Sequence, residues 1–243
     1  MIAAGPRPGL LASVATPEEM ALAIAGGADI VDLKDPAAGA LGAWELDALE
    51  RAVKHRAGAA RPLLSATVGD HPCTADALSQ AAEAVAATGI PLVKIGFATK
   101  GLTSAAVVAA ISGLAPLARR ARLVAVLFAD QDPDFALLGP LTAAGFHGAM
   151  LDTADKAGGA LRHHLADARL GAFVAEARGR GLLTGLAGSL RTTDIAPLAA
   201  LAPDYLGFRG ALCSGGRIGR MEAAALADVR ARLDRAARLP DAV

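Results

Sequence analysis

Aromatic side chains are scarce in this chain, 3% of 243 residues, so the core has to come from small and branched aliphatics packed closely together. Cysteines number two, Cys73 and Cys213. They form no CxxC pair and have no histidine at metal-ligand spacing, which argues against a disulfide scaffold and a zinc site and suits a reduced, cytoplasmic interior. Neither sign of charge is in excess: 24 basic residues face 24 acidic ones, and the basic ones are dispersed. That balance argues against nucleic-acid binding and against an anionic membrane surface, and leaves a small soluble substrate as the expected partner. The uncharged stretch Gly101 to Ala118 is interrupted by Thr103, Ser104, Ser112, Gly113 and Pro116, so it reads as a buried helix at a subunit contact of a homo-oligomer and not as a membrane span. The segment Met1 to Val14 carries Arg7 and two prolines before any apolar run develops, which is not the layout of a secretory signal. No Gly-x-Gly-x-x-Gly follows the first predicted strand, where Val14-Ala15-Thr16-Pro17 stands instead, which counts against a dinucleotide-binding open sheet.

What is present is regular. At this length a 53% hydrophobic content is ample for one continuous core. Apolar runs of strand length recur eight times, at 10–15, 28–34, 63–68, 92–96, 123–129, 148–152, 182–187 and 205–208. A helical pattern follows each, over 17–25, 44–56, 74–88, 103–119, 133–144, 165–180, 192–200 and 221–238. Thr16-Pro17-Glu18-Glu19 sets a capping hydroxyl, a proline at the first helical position and acids in the first turn. Thr74 and Asp132-Pro133 repeat the signal. Gly26-Gly27, Gly89, Gly145 and Gly181 supply stops. Strict strand–helix alternation, with strands apolar on both faces, predicts an α/β fold whose parallel sheet is covered by helices. Eight such units predict a single-domain TIM (β/α)8 barrel over 1–243.

In such a barrel the active site lies at the carboxyl ends of the strands, and the ionisable residues gather there. Asp32 and Lys34 stand two apart on the second strand and therefore share a face; Lys94 and Asp152 end the fourth and sixth. Inward residues near the tops of even-numbered strands meet in one cavity. A lysine beside other cations, partly desolvated, gains the free-amine fraction that nucleophilic catalysis needs. An internal Lys–Asp network that only bridges strands is the competing reading. Glycine-bearing loops after the last two strands, Ala187-Gly188-Ser189 and Phe208-Arg209-Gly210, fall where this fold often binds phosphate. Ser214-Gly215-Gly216-Arg217 adds a basic segment suited to closing over a phosphate or accepting a second one. Thr67 and Asp70 end the third strand and Asp130 the fifth, on the same rim; the two aspartates serve equally as caps of the helices that follow.

The chain resembles the (5-formylfuran-3-yl)methyl phosphate synthase family along nearly its whole length. The resemblance is carried by Gly26-Gly27-Ala28-Asp29-Ile30-Val31-Asp32-Leu33-Lys34, Pro36, Gly39-Ala40-Leu41-Gly42, Ser65-Ala66-Thr67-Val68-Gly69-Asp70, Val93-Lys94-Ile95-Gly96, Met150-Leu151-Asp152-Thr153-Ala154, Leu186-Ala187-Gly188-Ser189 and Arg209-Gly210-Ala211. It implies a cytoplasmic lyase of methanofuran and methylofuran biosynthesis, in one-carbon metabolism, that condenses two glyceraldehyde 3-phosphate molecules with loss of one phosphate and water. It also implies that no metal or cofactor is used, that Lys34 forms a Schiff base and Lys94 accepts a proton, and that Asp32, Asp152 and Lys156 support them. The phosphate-side residues would be Thr67, Asp70, Asp130, Gly188, Ser189, Arg209 and Gly210. Asp155 and Phe128 depart from the family's pattern. The enzymatic alternative is another Schiff-base aldolase or isomerase of sugar phosphates; the non-enzymatic one is a phosphometabolite-binding sensor.

Overall fold

In the computed structural model, which describes residues 7–56 and 61–236, all eight apolar runs become parallel strands. They are β1 (Gly9–Val14), β2 (Ile30–Leu33), β3 (Leu63–Thr67), β4 (Leu92–Phe97), β5 (Leu123–Phe128), β6 (Gly148–Asp152), β7 (Leu183–Leu186) and β8 (Tyr205–Phe208). Each strand pairs with its neighbours in sequence and β8 closes onto β1, giving the expected barrel. Helices α1 (Pro17–Ala25), α2 (Leu46–His55), α3 (Ala75–Ala87), α4 (Ser104–Gly113), α5 (Ala115–Ala118), α6 (Leu138–Ala144), α7 (Leu161–His164), α8 (Asp167–Gly179), α9 (Ile195–Ala199) and α10 (Ala223–Ala236) cover it.

Helix boundaries moved where local chemistry competes with periodicity. The predicted helix 103–119 breaks at Leu114 into α4 and α5, because Pro116 lacks the N–H that would continue the ladder and its ring crowds the preceding turn. Within the single chain Val107, Ala110 and Ile111 of α4 face inward, while its outer face and the preceding Leu102, 43% exposed, are uncovered. The 133–144 helix starts only at Leu138, after a 3-10 turn capped by Asp134, whose carboxylate accepts the Ala136 N–H at 2.9 Å. Asp132, expected as the cap, is left-handed (φ 49°). Helix α7 was not foreseen, and the predicted end of the last helix, at 237–238, lies outside the described residues. Among those residues no helix is long and apolar enough to cross a membrane.

Two apolar layers form. One packs the sheet's outer face against the helices. The other fills the barrel, with Leu11, Ile30, Leu92, Val124, Met150 and Tyr205 at its floor. Gly185 makes room for the one tyrosine: a Cβ there would stand 2.2 Å from the Tyr205 ring. Towards the carboxyl ends the same inward parity brings in Ser13, Asp32, Lys34, Ser65, Lys94 and Asp152, all buried.

The mouth is not open all round. Leu41, from the loop after β2, lies over β4, where a Cβ on Gly96 would be 2.3 Å from Leu41 Cδ1 and 3.1 Å from Phe128 Cζ. Leu41 and Phe128 therefore plug the β3–β5 side, and the remaining cavity of about 630 Å³ is lined from β1, β2, β4 and β6–β8 and the loops after them.

Candidate active site

Asp32 is fully buried at the centre of the barrel. Its register opposite Ser13 on β1 and Ser65 on β3 lets both hydroxyls donate to it, at 3.0 and 2.7 Å. Lys94 Nζ donates to it at 2.9 Å. Burial alone would push this carboxyl up, but Lys94 and Lys34 outweigh that and hold it below the usual carboxylate range. Ser13 and Ser65 were missed by sequence reasoning. The signal was a serine at inward parity in an otherwise apolar strand.

Asp152 anchors the second half of the site. Its Oδ1 accepts Lys156 Nζ at 2.5 Å and its Oδ2 accepts Lys34 Nζ at 3.5 Å. Burial opposes ionisation, yet Lys156 and then Lys34 dominate and keep Asp152 well below the ordinary range. Lys156 also donates to the Thr153 carbonyl, whereas Asp155 is exposed and caps the Ala157 N–H at 2.8 Å, so its departure from the family pattern leaves the Lys156–Asp152 contact intact.

Lys34 is the least satisfied cation of the cluster. It is 7% exposed, lines the cavity and has one long carboxylate contact. Desolvation lowers its pKa to about 8 from the ordinary 10.5, with Asp152 resisting and Lys156 and Lys94 adding to the fall. A value near 8 leaves roughly a tenth of the amine neutral at pH 7, against well under a thousandth at the ordinary value. Capture of an added aldehyde at this amine should rise with pH up to about 8 and level off above it, because only the neutral form attacks. Lys156→Met removes a like charge and frees Asp152 to act on Lys34, so the limb should move to higher pH. The yield of borohydride-trapped adduct by intact mass across pH 6–10 checks both, and an unmoved limb would assign the shift to burial and Lys94.

The loop after β7 forms the facing wall. Gly188 has φ 110°, which favours glycine, and a Cβ there would press on Thr153 at 3.0 Å. Ser189 holds φ 48° despite its side chain. Both line the cavity, as does Gly210, and among the described residues the amides of Gly188 and Ser189 have no protein acceptor. Among the described residues six cationic side chains line the cavity against the single carboxylate of Asp152, a balance that suits an anionic ligand.

Four expected phosphate-side residues have other work. Thr67 is fully buried and donates to the Gly42 carbonyl at 2.9 Å. Asp70 accepts the Leu41 N–H at 3.3 Å, fixing the plug. Asp130 accepts the Ala154 and Asp155 N–H groups at 2.8 and 2.7 Å, fixing the loop that carries Lys156. None of the three lines the cavity, and the aspartates pin neighbouring loops instead of capping their own helices. Arg209 does line the cavity, but its donors go to Glu19 and to the carbonyls of Ser13, Arg217 and Gly219. Its guanidinium has no fork left for a phosphate. Among the described residues no cluster of His, Cys, Asp and Glu could hold a metal ion.

Comparison with known proteins bears on what this site does. Residues 10–230 match the family model described as 4-HFC-P synthase. The chain is 46% identical over 209 residues to a relative from Methylorubrum extorquens, covering 85% of this chain and 83% of that one. It is similar to proteins named (5-formylfuran-3-yl)methyl phosphate synthase from Methanococcus aeolicus, 38% identical over 221 residues (85% and 91%), and Methanocaldococcus jannaschii, 36% over 218 residues (85% and 91%). Among solved structures, 3-keto-L-gulonate-6-phosphate decarboxylase from Vibrio cholerae superposes with TM-score 0.64 at 13% identity, over 94% of this chain and 98% of that one. At that identity the likeness speaks for the fold alone.

Proposed function

Because the chain belongs to the 4-HFC-P synthase family, we propose that it is a lyase-type synthase that condenses two glyceraldehyde 3-phosphate molecules into (5-formylfuran-3-yl)methyl phosphate, a precursor of methanofuran-type cofactors, with loss of one phosphate and water. The observation that carries the proposal is the Lys34 amine: buried, facing the cavity, and brought to a pKa of about 8. Lys34 attacks the carbonyl of one triose phosphate and water leaves. The protonated imine withdraws electrons from the adjacent carbon, whose proton passes to Lys94 as Lys94 hands its own proton to Asp32. Lys94 and Asp32, at 2.9 Å, gain and lose that proton as a pair. The enamine adds to the aldehyde of the second triose. Lys156, held on Asp152, stands ready to protonate the oxygens that leave as phosphate and water during ring closure, and addition of water to the imine carbon returns the Lys34 amine. The Gly188 and Ser189 amides bind one phosphate.

Incubating the purified protein with glyceraldehyde 3-phosphate alone tests this. The expected result is a strongly ultraviolet-absorbing aldehyde, with one inorganic phosphate released per product. An addition product without that chromophore would point to a sugar-phosphate aldolase, and binding with neither imine nor turnover to a sensor.

A further inference from the structure

We propose that Arg217 binds the phosphate of the second triose and that the Glu19–Arg209 pair positions it; this rests on the condensation reading above. Two triose phosphates bring two phosphates to one cavity, and the Gly188–Ser189 loop, backed against β6, serves one flank. The opposite flank is closed by the segment between β8 and α10. That segment folds back on itself: Cys213 and Met221 pair antiparallel, Ser214 N–H donates to the Arg220 carbonyl at 3.0 Å, and Gly215 and Gly216 turn the tip at φ 73° and 85°. Arg217 leaves this hairpin and crosses the mouth to the loop after β2, where its Nη2 donates to the Gly39 carbonyl at 3.0 Å. It thereby lines the cavity alongside Lys34 and Pro36. Among the described residues the Gly39 carbonyl is the one acceptor it reaches, which leaves most of its guanidinium fork for a ligand, and that fork matches a phosphate bidentately.

The hairpin is held from beneath. Arg209 Nε donates to the Arg217 carbonyl at 2.8 Å and Nη2 to the Gly219 carbonyl at 2.9 Å. Arg209 is itself paired with Glu19, a 6% exposed carboxylate that also accepts the N–H groups of Ala15 at 2.7 Å and Met221 at 3.0 Å. A buried ion pair with its remaining lone pairs satisfied has one arrangement. Arg209, which the sequence offers as the phosphate ligand, is thus a positioning residue acting through the backbone of the hairpin.

Arg217→Gln separates a ligand from a latch, since glutamine keeps an N–H for Gly39 but loses the charge and the fork. Calorimetric titration of the purified protein with inorganic phosphate should find two phosphates per chain for the wild type and one for Arg217→Gln, with Gly188→Ala losing the other. Removing a charge-assisted contact of this kind should raise KM for glyceraldehyde 3-phosphate roughly 10–100-fold. Glu19→Gln should lose the same phosphate as Arg217→Gln, and the double variant should be no worse than either single one, because coupled residues do not add. Unchanged phosphate stoichiometry and KM in Arg217→Gln, in a protein that still makes the furan, would overturn the assignment and leave the condensation reading standing. Loss of a phosphate in Arg217→Gln, in a protein whose wild type makes neither imine nor furan, would retain the anion site and sink that reading.

Discussion

Lys34→Ala is expected to abolish turnover, by roughly 10⁴-fold or more on the scale of other lost nucleophiles, and to leave no borohydride-trapped adduct. In the proposed mechanism the amine supplies both the bond to the substrate and the electron sink, so no neighbour can replace half of its work. Lys94 is the nearest substitute in kind, but it is 2% exposed and bound to Asp32 at 2.9 Å, while the Lys34 ammonium has a single carboxylate contact at 3.5 Å. Lys94→Ala accordingly leaves trapping possible and stalls the steps after it. Intact mass after borohydride reduction distinguishes the two variants, and a full yield of adduct from Lys34→Ala would transfer the nucleophile role to Lys94.

Asp32→Asn should cost both stability and activity. The substitution keeps the partners of Ser13 and Ser65 but leaves the Lys94 ammonium, 2% exposed, without its carboxylate. An unpaired buried charge of this kind costs about 3–5 kcal/mol, which for a domain of this size is a fall in Tm of roughly 6–20 °C. The Asp32→Asn, Lys94→Met double variant removes the stranded charge, so it should recover most of the lost Tm while remaining inactive. That outcome separates the pair's structural share from its chemical one. A single variant that melts like the wild type would show that the Asp32–Lys94 ion pair adds nothing to stability and would leave Asp32 with a chemical role alone.

The site residues divide by how far along the chain their deciding contacts lie. Asp32, Lys34, Lys94 and Asp152 converge as inward parity and even strand number require, because a strand's period is set within a few residues. Asp70, Asp130 and Arg209 sit at strand ends just as plainly, yet each turns to a loop or helix that arrives from elsewhere: Leu41 lies 29 residues before Asp70, Ala154 lies 24 after Asp130, and Glu19 lies 190 before Arg209. Nothing at the strand end announces which loop will cross it. The plug is a case in point. Leu41 is one leucine in a glycine-rich loop, and only the missing Cβ at Gly96, together with the Phe128 ring, gives it a seat over the barrel.

By itself the sequence determined the barrel, the rim on which chemistry sits, and the strands whose lysines and carboxylates point inward, since hydrophobic period, caps and turn residues act over short stretches of chain. Tertiary structure alone decided how those charges divide, Lys94 onto Asp32 and Lys34 with Lys156 onto Asp152, and that Arg217, unlike Arg209, faces the cavity with donors to spare. The physical reason is that the free energy of an ion is set by every group within a few ångströms, and those neighbours are assembled only when eight strands close and their loops fold over one another.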